Sequence, residues 1–330
     1  EPLSGPPLRL MALERGFDAL QIRELADPQP GDGEVLIEVA YAGCNWADTQ
    51  IRSGIYPYPP AYPVVPGFEV SGTVLATGEG VSGFSRGDKV VAITALGGYA
   101  QKCVAPADLV CKLPEGVSLD VGAAFQIQAL TAYHMLHTVY KLKKNDVVLV
   151  HAAGGGVGLL AIQLAVRAGA RVIGTVGTRC KEQKALACGA EVVVNNNDED
   201  FVDVVMERTN GQGADVALDS LGASVLDRTF DAVRMLGTVI NIGEAEGKPY
   251  DNLRDRILPR SVSFTRFSIT HVMPDAQLWQ RGLKYTIQGI QEGWLQIPVV
   301  GTIPLDNVRD MHRQMESRQV AGKLLLSMNW

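Results

Sequence analysis

The sequence predicts an α/β protein in two parts. A mostly β, barrel-type domain is expected over residues 1–125, completed by 268–330, and a doubly wound parallel sheet over 126–267. Three observations carry this. Val147-Val148-Leu149-Val150 is a β-branched apolar run that ends in His151-Ala152-Ala153-Gly154-Gly155-Gly156-Val157-Gly158 and continues into Leu159, Leu160, Ile162 and Leu164 at helical spacing. From about residue 145, strand-like and helix-like segments alternate. Before residue 125, short β-forming runs are punctuated by Gly and Pro.

In order along the chain, strands are expected at Val35–Ala40, Val70–Leu75 and Lys89–Ile93, the last after the turn at Gly87-Asp88. Ala47–Arg52 is expected as a helical turn, with Asn45 as its N-cap. Asp48 and Arg52 then stand at i and i+4, where a local ion pair is the plain reading. Leu119–Val139 is expected to be helical. Six parallel strands follow at 146–151, 171–176, 191–195, 214–219, 237–242 and 261–267, the first five separated by helices. The tail shows an amphipathic segment over Leu278–Gln291, another over Val308–Ser317, and a closing apolar run Lys323–Leu326.

Composition narrows the function classes. The 330 residues suffice for two domains. A formal net charge of −6 argues against nucleic acid or a membrane surface as the partner. Residues 147–166 carry only His151 and Gln163 as clearly polar side chains, long enough to imitate a membrane span. The central glycines favour a buried strand, turn and helix. Glu14, Arg15 and Asp18 interrupt any apolar run after Arg9, so no secretory signal is expected. A start at Glu1 rather than Met is expected of a trimmed chain. The cysteines at 44, 103, 111, 180 and 188 form no C-x-x-C pair, so reduced thiols in the cytoplasm are expected rather than disulfides or a zinc lobe.

The glycine turn sits where a dinucleotide pyrophosphate binds. Glycine admits close backbone approach, and the following helix offers unpaired N–H groups. The next strand, Arg171–Val176, runs into Gly177, Thr178, Arg179, Cys180 and Lys181, with no acid before Glu182. A carboxylate there would hold a ribose 2′-OH and repel a 2′-phosphate. A hydroxyl and two cations attract the phosphate, so NADPH is expected over NADH. Solvated surface charge is the alternative for Arg179 and Lys181.

Asn45-x-x-Asp48-x-x-x-Arg52-x-Gly54-x-Tyr56, Val65-Pro66-Gly67-Phe68-Glu69 and the His151–Gly158 turn together resemble the ζ-crystallin-like quinone oxidoreductase branch of the zinc-independent medium-chain dehydrogenases/reductases. The resemblance continues through Thr131-Ala132-Tyr133, Gly174–Thr178, Asp219–Gly222 and Glu316-Ser317-Arg318 with Gly322-Lys323. It implies a GroES-like catalytic domain, a Rossmann domain, a homodimer and NADPH-dependent reduction of a quinone or α,β-unsaturated carbonyl compound. Gly154, Gly155, Gly156 and Val157 match the pyrophosphate turn. Gly177, Thr178 and Lys181 match the 2′-phosphate site, and Thr131, Gly243 and Arg266 other parts of the cofactor site. Asn45 and Tyr56 match residues at the nicotinamide and substrate, with Asp48 and Arg52 beside them. Tyr56 packing only on Tyr58 and nearby prolines is the alternative.

Two departures stand out. Asn196 replaces an aromatic ring expected near the adenine phosphate, and Gln50 replaces a substrate-side tyrosine. Zinc-dependent relatives carry Cys at the position of Asn45 and His at that of Phe68, and phenylalanine cannot ligate, so no metal is expected. Cys44 is one residue off the ligand position. His151 reads as structural, His134 and His137 lack further metal ligands, and His271 and His312 have no local context. Two rivals remain: an enoyl-thioester reductase and a non-catalytic NADPH-binding crystallin-like protein.

Overall fold

The computed structural model describes residues 8–12 and 19–328; Glu14, Arg15 and Asp18 lie outside them. It divides into two units, residues 1–127 with 299–330, and residues 128–298.

The first unit opens with the antiparallel pair β1 (Leu8–Ala12) and β2 (Leu20–Glu24). Then come β3 (Glu34–Gly43), α1 (Trp46–Ser53), β4 (Glu69–Thr77), β5 (Lys89–Ile93), β6 (Lys102–Pro106), β7 (Val110–Lys112) and α2 (Leu119–Ala124). Val35, Ile37 and Val39 alternate along β3 into a core with Val70, Val74, Val90 and Ala92.

Leu119–Val139 is not one helix. It breaks at buried Phe125 into α2 and α3 (Gln126–His134), which ends in a π turn over Met135–Val139. The Glu69 carboxylate accepts the Ile127 N–H at 2.8 Å, satisfying one of the open donors that begin α3.

The second unit runs β8 (Val147–Val150), α4 (Gly156–Arg167), β9 (Arg171–Val176), α5 (Glu182–Ala187), β10 (Val192–Asn195), α6 (Phe201–Arg208), β11 (Ala214–Asp219), α7 (Ala223–Ala232), β12 (Val233–Asn241), α8 (Leu253–Ile257), β13 (Ser263–Arg266) and α9 (Ala276–Glu292). All strand pairs are parallel, in the order β10-β9-β8-β11-β12-β13. This is the doubly wound arrangement, and its order reverses between β8 and β11. Helices cover both faces, so all four β8 residues are buried and the strand reads as an unbroken apolar run.

The chain returns to the first unit at residue 299, not at 268 as expected. The reason is α9, which packs on α3: a Cβ on Gly282 would lie 2.9 Å from Leu130 and 3.0 Å from Tyr133. Past α9, Gln296 N–H donates to Gln163 on α4 at 2.7 Å. The tail is β14 (Val299–Pro304), α10 (Val308–Glu316) and β15 (Lys323–Ser327). The first unit's sheet has the order β14-β15-β3-β4-β5-β7, with β6 also on β3. Among the described residues no helix is long and apolar enough to cross a membrane.

Candidate active site

Each unit gathers part of the residues singled out in the sequence. In the second unit, β8 ends at a turn over residues 151–155 that leads into α4, with Ala152 at φ 50° and Gly155 as N-cap. The Ala153 N–H bonds Thr175 O on β9 at 2.9 Å and holds the turn to the sheet. The glycines have different physical reasons. A Cβ on Gly158 would lie 2.3 Å from the Ala152 carbonyl, so that glycine lets α4 pack on the turn. A Cβ on Gly154 would lie 2.4 Å from Lys181 Cβ, so the lysine stem rests on the turn. A Cβ on Gly155 would meet only the Ala152 carbonyl, at 3.4 Å, and one on Gly177 nothing within 4 Å. The first N–H groups of α4, at Gly156 and Val157, have no intrahelical acceptor by position.

The expected 2′-phosphate residues lie just past β9. Lys181 closes a short 3₁₀ turn that begins at Arg179. Arg179 is exposed and 3.6 Å from Asp198, a pair worth little in solvent. Thr178 Oγ1 lies 3.3 Å from Cys180 Sγ. Asn196 is exposed, its N–H bonded to Val176 O at 3.0 Å, and the Asn197 amide donates to Gly177 O at 2.8 Å. The β10–β9 pairing thus sets Asn196 beside Gly177 without an aromatic ring.

At the sheet's reversal a small cavity opens, lined by Val150 of β8, His151 of the turn after it, Leu218 and Asp219 of β11, Val157 of α4 and Met135. His151 is structural: it is buried, with Nδ1 2.8 Å from Thr175 Oγ1 and Nε2 2.8 Å from Thr229 Oγ1. Burial lowers its pKa to about 3. Asp219, noted in the sequence only as part of the resemblance and not as a site residue, accepts Leu221 N–H at 2.9 Å and the Asn241 amide at 2.7 Å. Its pKa is raised to about 6 by burial. Asn241 also donates to Gly243 O at 2.9 Å. The β12–β13 register then brings Gly243 near Arg266, whose guanidinium is paired with Glu244 at 3.0 and 3.2 Å. Thr131 is buried on α3. Gln128 was also missed: its Oε1 is buried without a partner, and a Cβ on Gly156 would lie 2.1 Å from it.

In the first unit, Asn45 is at the N-cap of α1 as expected, but its side chain makes no cap bond. Its Oδ1 accepts from Lys323 Nζ at 2.9 Å, and its Nδ2 donates to Glu69 Oε1 at 3.3 Å. The expected Asp48–Arg52 pair gives way to partners remote in sequence. Asp48, fully buried, accepts the N–H groups of Asn45 and Gly67 at 2.9 and 3.1 Å and the Tyr99 hydroxyl at 2.9 Å. Burial outweighs these bonds and raises its pKa to about 6. Arg52 pairs with Glu316 and donates from Nε to His312 Nδ1 at 3.1 Å. His312 therefore has a context after all, with Nε2 3.5 Å from the Tyr99 hydroxyl. Burial, aided by the Arg52 charge, lowers its pKa to about 3. A directed chain of donors runs from Arg52 through His312 and Tyr99 to Asp48, tying α1 to α10.

Tyr56 follows α1 in an irregular stretch, half-buried, its ring 5.8 Å from Tyr58 and 6.0 Å from Phe68. Gln50 is half-buried on α1. Cys44 is buried, and burial pushes its thiol pKa up. Among the described residues no three His, Cys, Asp or Glu side chains are gathered as a metal site.

Known proteins match this architecture. The profile of the alcohol dehydrogenase GroES-like domain matches residues 31–115, and that of the zinc-binding dehydrogenases matches 156–281. A protein of Schizosaccharomyces pombe named "Probable quinone oxidoreductase" is 36% identical over 312 residues, 94% of this chain and 93% of that one. The chain belongs to the quinone oxidoreductase family. The Escherichia coli quinone oxidoreductase, solved in complex with NADPH, superposes on this family member with a TM-score of 0.93 at 34% identity, over 97% of this chain and 99% of that one. Membership does not narrow the substrate to quinones. A 2-haloacrylate reductase of a Burkholderia species is 34% identical over 94% of this chain and 96% of its own. The zinc-binding profile covers only the Rossmann unit and so does not bear on Asn45 and Phe68.

Proposed function

We propose that the chain is an NADPH-dependent, zinc-independent reductase of quinones or α,β-unsaturated carbonyl compounds. The observation that carries the reading is Lys181 resting on Gly154, which joins a 2′-phosphate cation to a pyrophosphate turn, with no acid ending β9. The relatives support it: one is named for a haloacrylate, several for quinones, and two are solved with NADPH.

The residues present fit the cofactor. Open space in front of Gly155 and Gly177 leaves room for phosphates, and Gly154, Gly156, Val157, Thr178 and Lys181 would hold them. When bound, NADPH supplies hydride to an electron-poor carbon. Gly243 and Arg266 border the same half of the protein, and Thr131 and Asn196 are assigned to it with them. Asn45 donates its remaining amide N–H to the substrate oxygen as negative charge develops there. Tyr56 offers a hydroxyl for the same purpose beside the apolar ring of Phe68. Asp48 and Arg52, enclosed by Tyr99, His312 and Glu316, hold α1 in place and thereby aim Asn45.

Such a reduction does not need a Lewis acid, whereas alcohol oxidation without one loses the usual means of stabilising the alkoxide. Three further assignments go with the reading: a cytoplasmic location, fitting five free cysteines; no nucleic-acid or membrane partner; and a homodimer formed through β13, one of the sheet's two edges.

The test is a steady-state panel of NADPH oxidation with quinones, enones and enoyl thioesters, with and without a chelator. Turnover of quinones or enones that survives chelation is expected. Turnover of enoyl thioesters alone, or tight NADPH binding with no turnover, would replace the reading.

A further inference from the structure

We infer that Lys323 and Glu69 form a buried device that fixes the orientation of the Asn45 amide, with Lys323 as a positioning residue of the reaction. The inference rests on the reading of Asn45 as the group that meets the substrate oxygen.

Three strand ends converge to build it. β15 pairs antiparallel with β3, Leu325 opposite Gly43, and Cys44 N–H bonds Leu324 O at 3.0 Å. This brings Lys323 alongside the start of α1. β4 pairs with β3 on the other side, Glu69 opposite Gly43. Gly43 makes the space: a Cβ there would lie 2.5 Å from Glu69 Oε1. The Lys323 side chain is 0% exposed, that of Glu69 1%, and their N–O distance is 2.5 Å. Glu69 Oε2 is held independently by the Ile127 N–H at 2.8 Å.

The chemistry of the two partners dictates which way the amide faces. An ammonium only donates and a carboxylate only accepts. The Asn45 carbonyl must therefore face Lys323 and its NH₂ must face Glu69, as the 2.9 and 3.3 Å bonds require. A flipped amide would set donor against donor and acceptor against acceptor. One N–H remains, and its direction is decided. The Lys323 ammonium at the carbonyl oxygen also polarises the amide and makes that N–H a stronger donor. Burying an ion pair costs desolvation, and neutral replacements of such pairs are often as stable. What the pair contributes is orientation more than stability.

This leads to a cycle of variants. Lys323→Met with Glu69→Gln removes both charges and leaves none unpaired. The double variant should melt near the wild type and bind NADPH with unchanged affinity. Its kcat should fall about 10- to 100-fold with KM for the substrate little altered. Glu69→Asp, which keeps both charges and shortens the reach to Asn45 Nδ2, is the milder change should the double variant fail to fold, and it should show the same kind of loss. In an Asn45→Ala background neither change should lower kcat further, because Lys323 and Glu69 act through Asn45. Wild-type kcat in the double variant, or losses that multiply with Asn45→Ala, would overturn the proposal while leaving Asn45 in its role. An Asn45→Ala variant with wild-type kinetics would remove the role of Asn45 and this proposal with it.

Discussion

Gly155→Ala separates the two uses of glycine in the turn after β8. Gly155 has φ −83° and ψ 174°, a conformation that alanine adopts without strain. The added methyl would meet only the Ala152 carbonyl, at 3.4 Å, so the protein can house it. Reduced freedom of the unfolded chain should raise stability by about 0.4–1 kcal/mol. If a pyrophosphate approaches this backbone, the methyl stands in its way. Overpacking of that kind costs about 1–3 kcal/mol, or roughly 10- to 100-fold in Kd, for NADPH and NADH alike. Gly158→Ala is the control: its methyl would lie 2.3 Å from a backbone oxygen and 2.8 Å from Ala153 Cα, so it should lose about 1–3 kcal/mol of stability outright. The assays are urea unfolding without cofactor and fluorescence titration with each nucleotide. A Gly155→Ala protein that binds NADPH as tightly as the wild type would refute the placement of the pyrophosphate.

Three more outcomes are expected. Lys181→Ala should weaken NADPH binding about 10- to 100-fold, the worth of a charge-assisted contact, and leave NADH nearly unchanged; equal losses for both nucleotides in titration would contradict the 2′-phosphate role. His151 and His312 are held near pKa 3 against an ordinary 6.5, so between those values the unfolded chain binds protons that the folded chain refuses. Stability should therefore fall as pH falls from about 6.5 toward 3, by up to ~1.4 kcal/mol per pH unit for each histidine. Asp48, raised to about 6, acts oppositely as pH rises from about 4 to 6. His151→Gln should flatten the acid side of a urea-midpoint profile; an unaltered slope would count against the assignment. Light scattering at micromolar concentration should give twice the chain mass, and a monomer would reject pairing through β13.

The parts of this protein legible in the sequence are those set by local pattern. Val147–Val150 is apolar at every position because its sheet is covered on both faces, and the glycines that follow it advertise the turn. The strands from β9 to β13 were found by their regular alternation with helical segments. Leu119–Val139 misled because its helical spacing continues across the break at Phe125, which answers to the remote Glu69 carboxylate. β1 and β2 were missed, as were β6, β7 and β14, short runs whose pairing comes from the sheet around them. The surroundings of Asn45 were beyond local reading. Lys323 lies 278 positions away, and the partner of Arg52, His312, lies 260 away. Both are delivered by the return of the chain through β14, α10 and β15. A histidine without context and a charged pair with the wrong partner were the marks of that non-local network.

Direct hydride transfer from NADPH to an electron-poor carbon can be followed by isotope transfer. NADPH deuterated at the reactive C4 position is incubated with an α,β-unsaturated ketone, and the product is read by mass spectrometry and NMR. One deuterium is expected at the β carbon, with the α hydrogen drawn from solvent. Reduced product free of deuterium, or no reduction of any enone or quinone by an enzyme that binds NADPH, would contradict it.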